Sequence, residues 1–306
     1  MLRNRNLLLL GLVSLLTDMS SQMIYPLLPA FLAGLGAGPV GIGFIEGCVE
    51  SLAAIGKALS GRWSDRLRKR KPFIFAGYGL AAVAKASLFL AGSAGYVFVI
   101  RFADRLGKAL RGPARDALLA DSIDETQKGK SFGFHRAMDR LGAISGPAIA
   151  ITMLYFLPNQ IEVVLLAAGI PALLAIAFIS PVKEPPLSEE PLVSGSTSKG
   201  FSPALKWFIA GQFIFSLGNS TNAFLLLKAS ELGFSLMMLP VLWMVYNAIC
   251  SISAPLFGSW SDRVGRKPLI GLSICFYALM YLGFGLANDA WQLWILFAGY
   301  GIYYGM

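Results

Sequence analysis

Seven ionisable residues crowd one short stretch of the sequence. They are Arg101, Asp104, Arg105, Lys108, Arg111, Arg115 and Asp116. In an α-helix the five basic residues and Asp104 would fall within an arc of about 120°, which Asp116 widens to about 140°. Such a stripe could bind an acidic solute, because arginine donates paired hydrogen bonds to carboxylate and phosphate groups. It could equally lock neighbouring helices together, and the residues alone leave both interpretations open.

Other ionisable residues interrupt apolar segments. Asp18 lies near the middle of the first segment, Glu46 and Glu50 share one helical face in the second, and Lys85 lies midway along the third. Charged groups inside a bilayer are costly and mark candidate sites. A carboxyl group at such a position can bind and release a proton. We therefore interpret these residues, Asp18 and Glu50 first, as substrate or proton-coupling candidates, with a permanent structural ion pair as the alternative.

A later segment offers partners for the basic stripe. Counting depth from the cytoplasmic ends of antiparallel helices predicts Asp139 beside Arg111, and His135 beside Asp116. Part of the stripe would then be neutralised between helices. His135 is the only histidine, so we predict no metal site there.

The composition indicates which kind of element must position these residues. Of the 306 residues, 56% are apolar and 14% are charged, against about 25% charged in an average soluble domain. The mean hydropathy is +0.63. These values exclude a soluble enzyme, a nucleic-acid binder and a disordered chain. The three cysteines lie in apolar runs without metal-ligand spacing, which also argues against a disulfide scaffold.

A helix that crosses a bilayer needs about 20 residues, and reading the sequence in windows of that length gives ten apolar segments. They cover residues 7–32, 40–60, 73–93, 96–119, 132–157, 161–180, 203–228, 236–259, 269–287 and 291–306. Each must be helical, because lipid cannot satisfy open backbone groups. The fold class is therefore an all-α, multi-pass membrane protein.

Lysine and arginine residues predict the orientation of these segments. The loops at 33–39, 94–95 and 288–290 carry none, whereas the second and eighth loops are basic. The basic residues of those two loops are Arg62, Arg66, Arg68, Lys69, Arg70, Lys71, Arg263, Arg266 and Lys267. The positive-inside rule then predicts a cytoplasmic N-terminus in a plasma (inner) membrane. Much of the net charge of +9 reflects topology, and no nucleic-acid partner is implied.

A polar stretch divides the chain. Residues 181–202 are rich in proline, serine and glycine, which is typical of a flexible linker. We predict an N-terminal six-helix bundle at 1–180, a cytoplasmic linker at 181–202 and a partial C-terminal bundle of four helices at 203–306.

The two parts repeat each other. The sequence Gly-x-Trp-Ser-Asp-Arg occurs at Gly61 and again 197 residues later at Gly258, and the same offset relates Gln22 to Asn219 and Glu50 to Asn247. Asn219 and Asn247 are therefore neutral candidate residues of the second half. Both copies of the motif lie on the same side of the membrane, which predicts a parallel repeat. We expect a complete second repeat to contain two further helices and the remainder of the tenth.

This organisation resembles the major facilitator superfamily, which has six plus six helices, a central cytoplasmic linker and Gly-x-x-x-Asp-Arg in the second loop. The motif residues are Gly61, Asp65, Arg66, Gly258, Asp262 and Arg263. The resemblance implies that they form a gating contact, in which a charge meets a helix dipole and locks the outward-facing state. The first copy departs from the pattern, since Arg68 stands where the family has glycine. A role in topology alone is the alternative.

A glycine–proline motif bears on the direction of transport. Gly142, Gly146 and Pro147 predict close packing and a kink in the fifth helix, and they resemble an element of drug/proton antiporters. We predict a monomeric secondary transporter, without a cofactor, that moves a small solute by proton-coupled efflux, and the surplus positive charge of the stripe favours an anionic solute. The alternatives are an uptake symporter for an organic anion and a non-transporting fragment. An embedded enzyme is disfavoured, because no second histidine or nucleophile converges with His135.

Overall fold

Apolar runs of this sequence fold into helices in the computed structural model, which describes residues 5–67, 69–123, 128–184 and 202–306. The predicted linker lies mostly outside the described residues, as does Arg68. The helices of the first part are α1 (Arg5–Ile24), α2 (Leu28–Gly34), α3 (Pro39–Leu67), α4 (Lys71–Ser87), α5 (Ala94–Asp121), α6 (Lys128–Phe156) and α7 (Ile161–Ile179). Those of the second part are α8 (Pro203–Gly218), α9 (Ala223–Glu231), α10 (Met238–Val264), α11 (Arg266–Leu286) and α12 (Ala290–Gly305).

Two predicted spans are interrupted. Segment 7–32 breaks between α1 and α2, where Pro26 supplies no backbone N–H for a helical hydrogen bond. Segment 203–228 breaks between α8 and α9, where Asn219 has an extended backbone. Polar side chains follow at Ser220, Thr221 and Asn222, and such residues compete for backbone hydrogen bonds. Each of these two predicted segments is therefore made of two helices.

The structure reproduces the internal repeat. Each short helix, α2 and α9, is followed by a glycine with positive φ, 82° at Gly36 and 86° at Gly233. These glycines lie at equivalent positions of the repeat, as do the C-terminal ends of α3 at Leu67 and of α10 at Val264. The two halves thus share the order of broken helix, sharp turn and long helix.

Six of the predicted spans meet simple length and hydropathy requirements for crossing a membrane within the described ranges. They are Arg5–Gly34, Pro39–Leu67, Lys71–Leu90, Ile161–Ile179, Met238–Val264 and Arg266–Leu286. Helix α5 does not, because the basic stripe lowers its hydropathy. Its charges must therefore be shielded from lipid by other helices or by water.

The packing supplies this shielding. Helix α5 lies between α3 and α4, and α1 packs against α6 and α7. Glycines allow α4 and α5 to approach closely, since a Cβ built at Gly77 would lie 2.6 Å from the carbonyl oxygen of Gly107. The two parts of the chain meet where α6 contacts α10 and where α2 and α3 contact α9. The charged face of α5 is thereby directed into the interior.

Candidate functional site

A buried ion pair joins α5 to α3. The Arg101 guanidinium donates through Nη2 to both carboxylate oxygens of Glu46, at 2.8 and 2.9 Å, and through Nε at 3.1 Å. The side chains are only 8% and 2% exposed. Such paired, charge-assisted hydrogen bonds fix both groups in position.

A second buried group continues this network across α4. The Lys85 ammonium lies 3.5 Å from Asp104 and donates to the Ser21 hydroxyl at 2.7 Å. Asp104 also lies 3.8 Å from Arg101. Lys85, Asp104, Arg101 and Glu46 thus form one connected cluster in which both acids and both bases have partners.

Arg105 makes a more exposed pair. Its guanidinium lies 2.9 Å from Glu50, whose side chain is 57% exposed. The Arg105 Nε is buried, and no described residue accepts a hydrogen bond from it. The structure therefore leaves one donor of Arg105 available.

Two cavities border the stripe. The central cavity, of about 330 Å³, is lined by Asp18, Ser21, Gln22, Ile24, Tyr25, Glu50, Lys85, Leu88, Ile100, Arg101, Asp104, Arg105, Lys108, Asn222, Trp243 and Tyr304. The second cavity, of about 340 Å³, is lined by Ser14, Thr17, Asp18, Lys57, Tyr78, Lys108, Arg111, Gly112, Pro113, Arg115, Asp116 and Asp139. The central cavity receives side chains from both parts of the chain.

Asp18 and Lys108 belong to both cavities. Asp18 is half-buried and Lys108 is exposed to the cavity space. Neither side chain forms a hydrogen bond or an ion pair with another described residue. They differ in this respect from Glu46, Lys85, Arg101 and Asp104, and are free to respond to a solute or a proton.

The second cavity holds the cytoplasmic end of the stripe. The Arg111 guanidinium carbon lies 4.2 Å from the ring centroid of Tyr78, a cation–π contact, and its buried Nη1 has no hydrogen-bond partner in the described part of the chain. Arg115 pairs with the adjacent Asp116 at 2.8 Å. Arg111 is therefore a second cation whose donors are not all used.

Helix α6 neutralises less of the stripe than expected. Asp139 accepts a hydrogen bond from Ser14 and lies 3.7 Å from His135, its neighbour one turn away. Asp139 shares the second cavity with Arg111, but the two do not pair. The carboxylates that pair with the stripe come instead from α3 and from α5 itself, because α3 packs directly against α5.

The second part of the chain contributes an uncharged wall to the central cavity, formed by Asn222, Trp243 and Tyr304. The Trp243 indole nitrogen donates to Gln22 Oε1 at 2.6 Å and so joins the two halves. Sequence reasoning did not select Ser21 or Tyr304 as site residues. Ser21 could have been found, because it lies three residues after Asp18 on the same helical face.

Two neutral candidates lie outside both cavities. Asn219 accepts a hydrogen bond from the Tyr277 hydroxyl at 3.0 Å, and Asn247 donates to the Trp243 carbonyl oxygen at 2.9 Å. These bonds stabilise the α8–α9 break and α10. The structure therefore assigns neither amide to the wall of a cavity.

The predicted gating residues make few contacts. Asp65, Arg66, Asp262 and Arg263 are all exposed, and their side chains form no hydrogen bond or ion pair within the described ranges. A Cβ built at Gly61 would lie 3.4 Å from Pro113 Cβ, whereas one at Gly258 would meet nothing within 4 Å. The charge–dipole contact that the motif implies for the outward-facing state stays a prediction.

Glycines of α6 set the position of Asp18. A Cβ at Gly142 would lie 3.0 Å from Asp18 Cβ, and one at Gly146 would lie 3.0 Å from Gln22 Cβ. Pro147 follows within the same helix. These residues bring α6 against the face of α1 that lines the central cavity.

Known proteins share this sequence pattern and this fold. An uncharacterized MFS-type transporter of Methanocaldococcus jannaschii is 33% identical over 310 residues, covering 99% of this chain and 78% of that protein. The multi-drug resistance efflux pump PmrA of Streptococcus pneumoniae is 24% identical over 91% of this chain and 72% of its own length. The crystal structure of the nucleoside transporter NupG matches with a TM-score of 0.72 at 16% identity, over 98% of this chain and 80% of NupG, which concerns the fold alone.

A profile of the Major Facilitator Superfamily matches residues 10–306, almost the whole chain. Proteins of this kind bind small molecules within the membrane. The chain therefore belongs to the major facilitator superfamily, as a multi-pass membrane transporter rather than an enzyme.

Proposed function

We propose that this transporter moves a small acidic solute by alternating access, and that a proton bound at Asp18 accompanies the solute. The observation that carries the proposal is the pair of unpartnered, oppositely charged residues, Asp18 and Lys108, which are common to both cavities. Every other basic group of the central cavity has a carboxylate partner within 4.0 Å. Lys108 is thus the cation that remains to receive an anion.

Electrostatics link the proton to the solute. An ionised Asp18 offsets the charge of Lys108, whereas a protonated Asp18 leaves that charge uncompensated. The other ionisable groups around Asp18 are Lys85 of α4, Arg111 of α5 and Asp139 of α6. A proton on Asp18 therefore raises the affinity for an anion, and by reciprocity the anion raises the affinity for the proton. Ligands that bind cooperatively travel together, which makes the transporter a proton–anion symporter.

Contacts between the halves support alternating access. At the end of the molecule near the α2–α3 loop, the Phe224 ring of α9 packs onto Gly43 of α3. The cavities lie on the other side of this contact, toward the helix ends that carry the basic loops. We propose that the end of the molecule with the basic loops is cytoplasmic in a plasma membrane. We also propose a monomer without a cofactor, since one chain lines both cavities and a proton gradient can supply the energy.

A flux experiment tests the coupling. Proteoliposomes with an alkaline interior are given organic sulfonates, which remain anionic and so do not cross lipid as neutral acids. We expect accumulation by the parent protein, and loss of gradient-driven accumulation in Asp18→Asn with solute exchange retained. The matched control is Glu231→Gln on α9, an exposed carboxylate outside both cavities. Equal accumulation by Asp18→Asn and the control would contradict the proposal.

Proton-coupled export is the second candidate, favoured by Gly142, Gly146 and Pro147 and by the relative that is named an efflux pump. In an exporter of the antiport type, solute and proton compete for Asp18. Acidification on the solute side would then weaken solute binding, whereas symport requires that it strengthen binding. A chain that binds solute but carries no flux would indicate the non-transporting fragment.

A further inference from the structure

The two walls of the central cavity differ in chemistry. The wall formed by α1, α3, α4 and α5 carries all of its charged groups, four basic and three acidic. The second part of the chain contributes only Asn222, Trp243 and Tyr304. Tyr25, from the α1–α2 break, lies beside Trp243, with ring centroids 4.9 Å apart. A solute in this cavity therefore meets a cation on one side and aromatic rings on the other.

The aromatic wall is held in place before any solute binds. The Trp243 indole donates to Gln22 at 2.6 Å, and its ring centroid lies 4.5 Å from that of Tyr246. Tyr246 in turn contacts the Tyr304 ring edge-on, at 5.5 Å. Rings fixed in this way lose little conformational freedom on binding, which favours affinity for a ligand of matching shape.

We infer that the transported solute is a planar organic acid with one acidic group, which lies against Lys108 while its ring packs on Trp243 and Tyr304. This inference rests on the proposed function and specifies its substrate class. Aromatic faces also attract organic cations, but the basic residues of the same cavity oppose them. Among the described residues, Lys108 is the single basic group of the central cavity without an anionic partner. One unpaired cation in the cavity matches one acidic group on the solute.

The size of the cavity limits the ring system. A volume of about 330 Å³ is at the lower end of the range of about 300–1,000 Å³ that is typical of small-molecule sites. This volume accommodates a one-ring or two-ring acid. Arg105 is paired with Glu50, and Arg111, which also has an unused donor, lines the second cavity and not the central one, so neither replaces Lys108 as the cation that receives the acid.

Binding to three matched probes tests the inference. Benzenesulfonate is planar and anionic, cyclohexanesulfonate is anionic without a planar ring, and benzenesulfonamide is planar and uncharged. We expect calorimetry on the protein in lipid nanodiscs to show benzenesulfonate binding about tenfold more tightly than cyclohexanesulfonate, the upper end of an aromatic contact. Benzenesulfonamide cannot form the charge-assisted contact, so it should bind about tenfold or more weakly than benzenesulfonate.

Variants assign the two preferences to residues. Lys108→Gln should abolish the preference for benzenesulfonate over benzenesulfonamide, and Tyr304→Leu should reduce the preference for benzenesulfonate over cyclohexanesulfonate. Tyr304 is 46% exposed, so its replacement is tolerated by the fold more easily than that of buried Trp243. Lys206→Gln and Trp207→Leu, on the exposed helix α8, are the matched controls and should leave all three affinities unchanged.

The outcomes separate this inference from the proposed function. Equal affinity of benzenesulfonate and cyclohexanesulfonate, or preferences that survive both variants, would overturn the planar-acid inference whatever the flux assay shows. Binding with the expected selectivity, together with unchanged coupling in Asp18→Asn, would support the substrate class and reject coupling through Asp18. Binding needs no flux, so the three affinities test the solute class even in a chain that fails to transport.

Discussion

The Asp18 side chain of α1 and the Lys108 side chain of α5 line both internal cavities, yet neither has a hydrogen-bond or ion-pair partner among the described residues. Neighbouring charges behave differently, since Arg101, Glu46, Lys85 and Asp104 are all paired. The charged face of α5 thus has two parts, a fixed cluster and a responsive pair. We propose that the fixed cluster stabilises the fold and that Asp18 and Lys108 bind the proton and the solute.

The fixed cluster predicts a large effect on stability. Arg101→Gln leaves the Glu46 carboxylate buried without its partner, which should lower the free energy of unfolding by about 3–5 kcal/mol. The double variant Arg101→Gln with Glu46→Gln should recover most of this loss, because no charge remains buried alone. Thermal unfolding of the purified proteins in detergent measures both effects.

Arg105→Gln serves as the comparison for this prediction. Its partner Glu50 is 57% exposed, so water stabilises the carboxylate that is left. The expected cost is only about 0–1 kcal/mol. Equal destabilisation by Arg101→Gln and Arg105→Gln would contradict the division into a buried cluster and an exposed pair.

Packing between α1 and α6 gives a second prediction. Gly142→Ala introduces a Cβ that would clash with the Leu15 carbonyl oxygen and lie 3.0 Å from Asp18 Cβ, and such overpacking typically costs about 1–3 kcal/mol. It should also reduce transport, because α1 must shift and carry Asp18 with it. Gly133→Ala on the same helix is the matched control, since a Cβ there meets nothing within 4 Å. Equal stability and flux in the two variants would show that this contact does not position Asp18.

Closure near the α2–α3 loop gives a third prediction. A Cβ at Gly43 would lie 2.6 Å from the Phe224 ring, so Gly43→Leu should separate α3 from α9 and shift the population toward the state open at this end. Spin-label distances between α3 and α9 should lengthen in this variant. Gly47→Leu, where a Cβ meets nothing within 4 Å, should leave them unchanged. Unchanged distances in Gly43→Leu would argue against a gate at this contact.

The sequence predicted the fold more completely than the site. Apolar runs and the repeat of Gly61 at Gly258 indicated the helices and their pairing, because a bilayer permits few backbone arrangements. The breaks at Pro26 and Asn219 were missed, since the average apolarity of a segment conceals a local loss of hydrogen bonds.

The stripe on α5 was recognised from its spacing, but its partners were not. Depth counting suggested Asp139 beside Arg111, whereas ion pairs depend on which helices lie against α5, and those helices are α3 and α4. The aromatic wall of the central cavity is another feature that the sequence did not predict. The ring of Tyr304 reaches the central cavity only through the packing of the second half, which spacing along the chain does not reveal.

Coupled movement of protons and solute tests the central claim most directly. Proteoliposomes containing a pH-sensitive dye are given an inward gradient of benzenesulfonate without a pH gradient. We predict that the interior acidifies as the solute enters, at one proton per solute, and that Asp18→Asn carries solute without this acidification. Alkalinisation of the interior, or acidification that is unchanged in Asp18→Asn, would contradict coupling through Asp18.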